Sequence, residues 1–150
     1  MRPLAEELVI NASLAEVWDL YFEASRWPAW VDELKGVDSL EGGYPEEGGG
    51  LVWHSGPSGR GRVSETVLEH EPRRRHRIRY ADPFSEGEQL TTFAIEGGEG
   101  TRVRIELTYR LVKGGVFGGI TDRLFIRTQM LGSLARSLEG LEAEATGGGG

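Results

Sequence analysis

The 150-residue sequence contains no cysteine and no long hydrophobic run. Without cysteine the chain cannot form a disulfide framework, a thiolate nucleophile, an iron–sulfur site or a zinc site with thiolate ligands. Its apolar runs are only a few residues long, and Glu6 and Glu7 interrupt the segment where a signal peptide needs a continuous apolar core. We therefore expect an uncleaved, soluble, cytoplasmic protein without integral membrane contact.

The motifs of several catalytic classes are also missing. His54, His70 and His76 have none of the spacings of metal sites, so we expect no metal. Residues 56–60 do not match the G-x-S-x-G nucleophile elbow. No glycine-rich segment leads into G-K-[ST], and no G-x-G-x-x-G connects a strand to a helix, which argues against nucleotide chemistry. We expect a protein that needs no cofactor.

The net charge of −7 is unevenly distributed along the chain. Residues 1–50 carry −8, residues 60–80 carry +4 and residues 81–150 carry −3. An acidic chain repels phosphate, so we expect no nucleic acid partner. The five arginines of residues 73–79 indicate the solvated outer face of a strand, with an anion site as the alternative.

Length and glycine usage predict one domain with many turns. The 23 glycines occur in doublets and runs between apolar segments, without the triplet period of collagen. A chain of this length suits a single domain with a real core, which we place at residues 1–146. Residues 147–150 are a glycine tail that we expect to be flexible.

The first third of the chain predicts a strand followed by two short helices. Residues 4–10 alternate loosely, and Ser13 and Glu16 then have the spacing of a capping box. Apolar residues recur at helical spacing from Leu14, which predicts a helix of about three turns that stops near Ser25. Pro28, between two tryptophans, suits the first turn of a second short helix.

The pattern then changes to short alternating segments separated by turn residues. They predict six strands at roughly 34–41, 50–55, 60–71, 75–81, 88–96 and 101–111. The connections are short and rich in glycine, so neighbouring strands should be antiparallel. In the last strand one face carries Val103, Ile105 and Leu107 while arginine, glutamate and threonine occupy the other, so one face should be covered and one wet.

The chain ends in a glycine-rich hinge and a long helix. The hinge is residues 114–119, and the apolar stripe that follows consists of Ile120, Leu124, Leu131, Leu134, Leu138 and Leu141. A helix of about 25 residues is roughly 37 Å long. It can cover a curved seven-stranded sheet without filling a deep concavity, so we predict a cavity between sheet and helix.

Four motifs in this order resemble the helix-grip fold of the START-related (SRPBCC) superfamily. They are the strand end and helix start at residues 10–18, the W-P-x-W of residues 27–30, the turn at 69–74 and the strand start at 100–103. The glycine-rich hinge and residues 122–124 are most similar to the polyketide cyclase/dehydrase-like branch. The resemblance covers residues 4–144 and implies an α+β fold in which a curved seven-stranded antiparallel sheet wraps around a long C-terminal helix.

The resemblance implies a cavity for a hydrophobic or amphipathic small molecule and does not imply a reaction. Several aromatic side chains come from elements that such a fold would arrange around one concavity, namely Trp27, Trp30, Trp53, Tyr80, Phe93 and Tyr109. Leu124 and Thr128 of the long helix could add an apolar contact and a hydroxyl. Ordinary core packing is the alternative for each of these residues.

Three residues are candidates for acid–base chemistry. Glu65 has the parity of Val63 and Val67 and could project into the cavity, where burial would raise its pKa. A bulge would instead turn it outward. His76 has the parity of Ile78 and Tyr80, and could bind a ligand or be a structural histidine. Tyr80 offers a hydroxyl on the same strand.

Three function hypotheses follow from these residues. The leading one is non-catalytic binding of a lipid, polyketide or quinone-like molecule by a monomer or homodimer. The second is a polyketide cyclase/aromatase-type enzyme in which Glu65, His76 or Tyr80 moves protons. The third is a protein-interaction module that uses the outer sheet face or the arginines of residues 73–79. Two titratable groups facing the cavity would favour the enzyme, and an all-apolar lining would favour binding alone.

Overall fold

The structure is a computed structural model that describes residues 3–57, 59–112 and 123–147. It contains seven strands, two short α-helices, one 3-10 turn and a long helix. The strands are β1 (Leu4–Ile10), β2 (Leu34–Glu41), β3 (Gly50–Ser55), β4 (Arg62–Glu71), β5 (Arg75–Ala81), β6 (Ser85–Glu96) and β7 (Gly100–Leu111). The helices are α1 (Leu14–Tyr21), α2 (Trp27–Trp30) and α3 (Arg123–Thr146), and the 3-10 turn is Ala24–Arg26.

All seven strands form one antiparallel sheet in the order β1-β7-β6-β5-β4-β3-β2. Every neighbouring pair except β1 and β7 is consecutive in the chain, because short turns join β2 to β7 as a meander. The sheet is curved, α1 and α2 lie between β1 and β2, and α3 packs across the concave side. The helix-grip architecture expected from the sequence is confirmed.

The predicted alternation of β7 between a buried face and a polar face is confirmed. Val103, Ile105 and Leu107 are buried, while Arg102 and Arg104 on the opposite face form ion pairs with Glu7, Glu96 and Glu106. One face of the sheet therefore faces the helices, and the other is polar. Among the described residues, no helix has the length and apolar character needed to cross a bilayer.

The first helix is shorter than predicted. Ser13 caps it as expected, accepting the Glu16 backbone N–H at 3.2 Å, but the helix ends at Tyr21 rather than near Ser25. The Trp27 indole donates to the Tyr21 carbonyl at 2.8 Å and satisfies an acceptor that another helical turn would use. Glu23 then leaves helical geometry at φ −87° and ψ 88°, which redirects the chain into the 3-10 turn.

The long helix turns Ile126, Leu134, Leu138 and Leu141 into the core. The predicted hinge at 114–119 and Ile120 lie outside the described residues. Leu124, placed in the stripe by sequence, is 73% exposed, so that prediction is wrong. In this first turn the buried side of the helix is the one that carries Ile126, and Leu124 lies about 160° around the helix from it.

Candidate functional site

A cavity of about 110 Å³, here called the inner chamber, lies between the sheet, α2 and α3. Its apolar and aromatic walls include Tyr21, Trp27, Trp30, Leu34, Tyr44, Leu51, Trp53, Ile78, Ile105 and Leu134. Its polar lining is Asp32, Arg60, Glu65, His76, Gln89, Ser133 and Ser137. The chamber is therefore a mainly apolar space with a few polar groups, the common character of small-molecule sites.

Two tryptophans of α2 form one wall of the inner chamber. Pro28 starts this short helix, and Trp27 and Trp30 are both buried. The Trp27 ring meets Tyr44 edge to face at 5.8 Å, and the Trp30 ring lies 5.3 Å from Tyr21. These contacts fix the positions of both indoles, so the wall is rigid.

Glu65 lies on the inner face of β4, opposite Leu51 on β3 and Tyr80 on β5. The register shift in β4 comes only after Val67, so it does not turn Glu65 outward. The Trp53 indole donates a hydrogen bond of 2.9 Å to the Glu65 carboxyl. Burial raises the pKa of Glu65, while the Trp53 bond and the charge of Arg60 oppose that rise. Burial thus favours the protonated acid.

Arg60 crosses the end of the inner chamber between two aromatic rings. Its guanidinium lies 5.5 Å from the Trp53 ring centroid and 5.0 Å from that of Tyr80. Its Nε also forms a 2.8 Å ion pair with Asp82, a side chain that is only 1% exposed. The cation is therefore held in place by two rings and a carboxylate.

Two histidines from neighbouring strands form a hydrogen-bonded pair. The Nδ1 atoms of His70 and His76 are 3.0 Å apart, so one ring donates and the other accepts. His76 is 3% exposed and lines the inner chamber. Burial lowers the pKa of His76 to about 3, and His70 adds to the effect. His76 is neutral at physiological pH and serves as a hydrogen-bonding group.

Two tyrosines bring further hydroxyls to the inner chamber. The Tyr21 hydroxyl is 2.8 Å from Thr91 Oγ1, and burial raises the pKa of Tyr21 to about 12. Burial also raises the pKa of Tyr44, with a further contribution from the charge of Glu65. Both hydroxyls stay protonated at neutral pH, so each can donate a hydrogen bond.

Polar contacts around Asp32 fix α3 over the inner chamber. Its carboxylate accepts from Arg136 Nε and Nη2, both at 3.1 Å, and from Ser133 Oγ at 2.8 Å. The Asp32 backbone N–H donates to Ser137 Oγ at 2.9 Å. This cluster joins the end of α2 to two successive turns of α3.

A second cavity of about 240 Å³, here called the outer chamber, adjoins the first. Arg60, Gln89, Ser133 and Leu134 line both chambers and form their boundary. The outer chamber is otherwise lined by Glu33, Gly59, Tyr80, Leu107, Phe125, Gln129, Met130 and Arg136. An elongated ligand could pass this boundary and occupy both spaces.

The structure brings together five of the site residues predicted from sequence and separates the rest. Trp27, Trp30, Trp53, Glu65 and His76 line the inner chamber, and Tyr80 lines the outer one. Phe93 is buried 4.9 Å from the Trp18 ring and lines neither chamber. Tyr109 is half-buried on β7 and also lines neither.

Two predicted site residues of α3 do not lie in the site. Leu124 is exposed, and Thr128 lies on the exposed side of the helix with its hydroxyl donating to the Leu124 carbonyl at 2.9 Å. Neither residue lines either chamber, and Thr128 lies about 120° around the helix from Leu134, which faces the cavity.

Sequence reasoning missed Tyr44, Arg60 and Gln89 as lining residues. Gln89 could have been found, because it shares the parity of the buried Thr91 and Phe93 on β6. Tyr44 lies in the β2–β3 connection, where no periodic pattern indicates direction. Arg60 was placed in the strand predicted at 60–71, but that strand begins at Arg62, so Arg60 belongs to the β3–β4 connection and strand parity does not give its direction. Among the described residues no cluster of potential metal ligands is present.

The chain is similar to known proteins in sequence and in fold. The sequence profile of a family described as "Polyketide cyclase / dehydrase and lipid transport" matches residues 1–146. No curated protein matches the sequence.

Several solved structures are similar in fold. The protein TTHA0849 from Thermus thermophilus has a TM-score of 0.76 and 26% identity over 99% of each chain. A START superfamily protein from Mycobacterium smegmatis has a TM-score of 0.77 and 13% identity over 97% of each chain. Zhui aromatase/cyclase from a Streptomyces species has a TM-score of 0.73 and 15% identity, covering 96% of this chain and 93% of that one.

Proposed function

The chain belongs to the polyketide cyclase / dehydrase and lipid transport family, and from that premise we propose that its two chambers bind a hydrophobic or amphipathic small molecule. The observation that carries this proposal is the pair of adjoining cavities between the sheet and α3, with aromatic walls and isolated polar groups. Apolar burial would supply most of the affinity, and the polar groups would orient the ligand.

Shape supports a ligand longer than one ring. The inner chamber, at about 110 Å³, is smaller than a cavity of about 150 Å³ that accommodates benzene. A ligand with an aromatic ring would therefore occupy part of the outer chamber as well. Leu134 lies on the boundary between the two spaces, so a larger side chain there would obstruct such a ligand.

The test is a titration of tryptophan fluorescence with three two-ring probes: biphenyl, para-phenylphenol and para-phenylbenzoate. Three of the four tryptophans line the inner chamber, so a bound ligand would change their emission. We expect at least one probe to bind the wild type and none to bind Leu134→Trp. The matched control is Leu124→Trp, the same substitution on the exposed side of α3, which should bind like the wild type. Binding by both variants alike would contradict the proposal.

A cyclase-type activity is the second candidate, favoured by one specific observation. The lining is not entirely apolar, because Glu65 shares the inner chamber with Tyr21, Tyr44 and His76. A carboxyl group whose pKa is raised by burial can donate a proton to a carbonyl and accept one from an adjacent carbon. These are the proton transfers that an intramolecular aldol condensation of a polyketone requires.

Glu65→Gln separates the two candidates. Glutamine keeps an acceptor for the Trp53 indole but cannot exchange a proton, so probe binding should persist. If the protein is a cyclase, the wild type converts a linear polyketone thioester to a dehydrated ring product and Glu65→Gln does not. If neither protein changes this substrate while both bind the probes, the activity is binding alone.

A further inference from the structure

Two buried polar atoms of the inner chamber have no hydrogen-bond partner among the described residues. They are Trp30 Nε1 and His76 Nε2. Trp30 is 6% exposed and His76 is 3% exposed, and both side chains line the chamber. Buried polar groups in native proteins are nearly always paired, because an unpaired one loses its hydration without replacement. Two such atoms at one cavity point to a ligand that forms hydrogen bonds with them.

The other two indoles of the inner chamber show that the fold can satisfy such groups. Trp27 Nε1 donates to the Tyr21 carbonyl at 2.8 Å, and Trp53 Nε1 donates to Glu65 at 2.9 Å. Trp30 differs from them only in having no acceptor of this kind. An indole N–H is a donor and never an acceptor, so a ligand at Trp30 must present a lone pair.

His76 adds a second requirement. Its Nδ1 is engaged with His70, so Nε2 is the only ring nitrogen left for a ligand. Whether Nε2 donates or accepts depends on which histidine of the pair holds the shared proton. A hydroxyl group serves either tautomer, because it can donate and accept, whereas a carbonyl serves only the donor form.

The charges around the inner chamber favour a neutral ligand. Arg60 is the one cation among its described lining residues, and it is paired with Asp82. Asp32 is paired with Arg136, and Glu65 is the remaining acidic group. A carboxylate ligand would therefore be buried without a cation of its own, at a large cost in lost hydration.

We infer that the ligand of the inner chamber is a neutral ring compound whose hydroxyl group binds Trp30 Nε1 and His76 Nε2, as in a phenol. The remainder of the molecule would extend past Leu134 into the outer chamber. This inference rests on the proposed function and goes further, because it selects phenols over fatty acids and other anions.

The experiment compares the affinities of the same three probes. We expect para-phenylphenol to bind about ten- to hundredfold more tightly than biphenyl, the gain of two net hydrogen bonds, and para-phenylbenzoate to bind more weakly than the phenol. Trp30→Phe should reduce the preference for phenol over biphenyl, taken as the ratio of the two affinities in the same variant, by about three- to tenfold. His76→Phe should act in the same way.

Trp27→Phe is the matched control. It also removes an indole of the inner chamber, but one whose N–H already has a partner. The preference for the phenol should therefore survive in this variant. Biphenyl binding reports in every variant that the chamber has formed. If Trp30→Phe fails to bind biphenyl, the inference is tested on the wild type instead, by nuclear magnetic resonance. The Trp30 indole N–H signal should move downfield when the phenol binds and should not do so when biphenyl binds.

Three outcomes would overturn the inference. They are an unchanged phenol preference in both Trp30→Phe and His76→Phe, a static Trp30 indole signal, and tightest binding of the benzoate. Each of these leaves the proposed function standing, because the probes still bind. Failure of all three probes to bind the wild type would instead reject the proposed function itself.

Discussion

At the scale of single residues, Glu65 and His76 set the protonation state of the inner chamber. Burial disfavours charge on both, so it raises the pKa of the acid and lowers that of the base. Both groups are therefore held toward their neutral forms, and each should leave a separate mark on the pH dependence of stability.

Glu65 should make the protein less stable as the pH rises. The folded state binds its proton more tightly than the unfolded chain, in which the pKa is 4.5. Between pH 4.5 and the higher folded pKa, the folded state holds more protons, so the free energy of unfolding falls with increasing pH. Glu65→Gln removes this loss, and its stability relative to wild type should increase from pH 4.5 upward in urea titrations.

The control for this prediction is Glu99→Gln, in the exposed turn between β6 and β7. It removes the same formal charge without changing a buried group. We expect its stability difference from wild type to stay nearly constant over the same pH range. Parallel profiles for Glu65→Gln and Glu99→Gln would contradict the burial of the Glu65 carboxyl.

His76 should act in the opposite direction, on the acid side. Its pKa falls from 6.5 in the unfolded chain to about 3 in the folded state. The folded state therefore binds fewer protons below pH 6.5, and stability is lost as the pH falls. At pH 5 this loss amounts to about 2 kcal/mol.

His76→Phe tests this sign directly. The variant cannot take up the proton, so its stability relative to wild type should improve by about 2 kcal/mol between pH 7 and pH 5. Between pH 7 and pH 9 the difference should change by only about 0.2 kcal/mol, because the unfolded-state pKa of 6.5 lies below this range. A difference that is flat from pH 5 to pH 9 would mean that His76 is solvated in the folded state.

At the scale of elements, two glycines of α3 have opposite roles. A Cβ at Gly140 would lie 2.8 Å from the Trp30 carbonyl oxygen and 3.0 Å from its Cα, so α2 and α3 touch through this residue. A Cβ at Gly132 would meet only the guanidinium end of Arg136 at 3.2 Å, which can move aside. Only at position 140 does the packing of α3 against α2 require glycine.

Alanine at these two positions should therefore have effects of opposite sign. Gly132→Ala should stabilise the protein by up to about 1 kcal/mol, because alanine is the better helix former. Gly140→Ala should destabilise it by about 1–3 kcal/mol, because the backbone of α2 must shift. Thermal unfolding of both variants checks the pair. Stabilisation by both substitutions would mean that α2 does not contact α3 as described.

The elements differ in how far the sequence could predict them. The strands were found because turn residues bound each one and β7 alternates without a break. The end of α1 was missed because the Trp27 indole, a tertiary contact, takes the Tyr21 carbonyl. The stripe of α3 was predicted correctly at Leu134, Leu138 and Leu141. The exposure of Leu124 was missed because Leu124 continues the seven-residue spacing of Leu131 and Leu138, and spacing alone cannot show how far along the helix the covered part extends.

At the scale of the whole molecule, the outer face of the sheet carries ion pairs between strands. Arg75 and Arg77 pair with Glu69, Glu71 and Glu88 on the polar face, in contacts of 2.8–3.8 Å. The arginines of residues 73–79 thus belong in part to an ion-pair network, as expected for a solvated strand face. This pairing gives the interaction-module hypothesis less support than the cavity gives to ligand binding.

The candidate site was predictable in part, from strand parity and from the set of aromatic side chains. Glu65 and His76 were found because each alternates with buried apolar neighbours on its strand. Trp27, Trp30 and Trp53 were found as members of a set of aromatic side chains. Tyr44 and Arg60 were not, because the direction of a side chain in a connection depends on contacts across the whole fold. The orphaned Trp30 indole was also beyond sequence analysis, since it depends on the acceptors that other elements fail to supply.

The most direct test of ligand binding in the inner chamber is a nitrogen–proton correlation spectrum, recorded while para-phenylphenol is titrated into the ¹⁵N-labelled protein. Each of the four tryptophans gives one indole signal. Trp27, Trp30 and Trp53 line the chamber, whereas Trp18 does not. We predict saturable shifts of the first three signals, largest and downfield for Trp30, with Trp18 nearly unmoved. Static chamber signals, or a response confined to Trp18, would contradict ligand binding in this chamber.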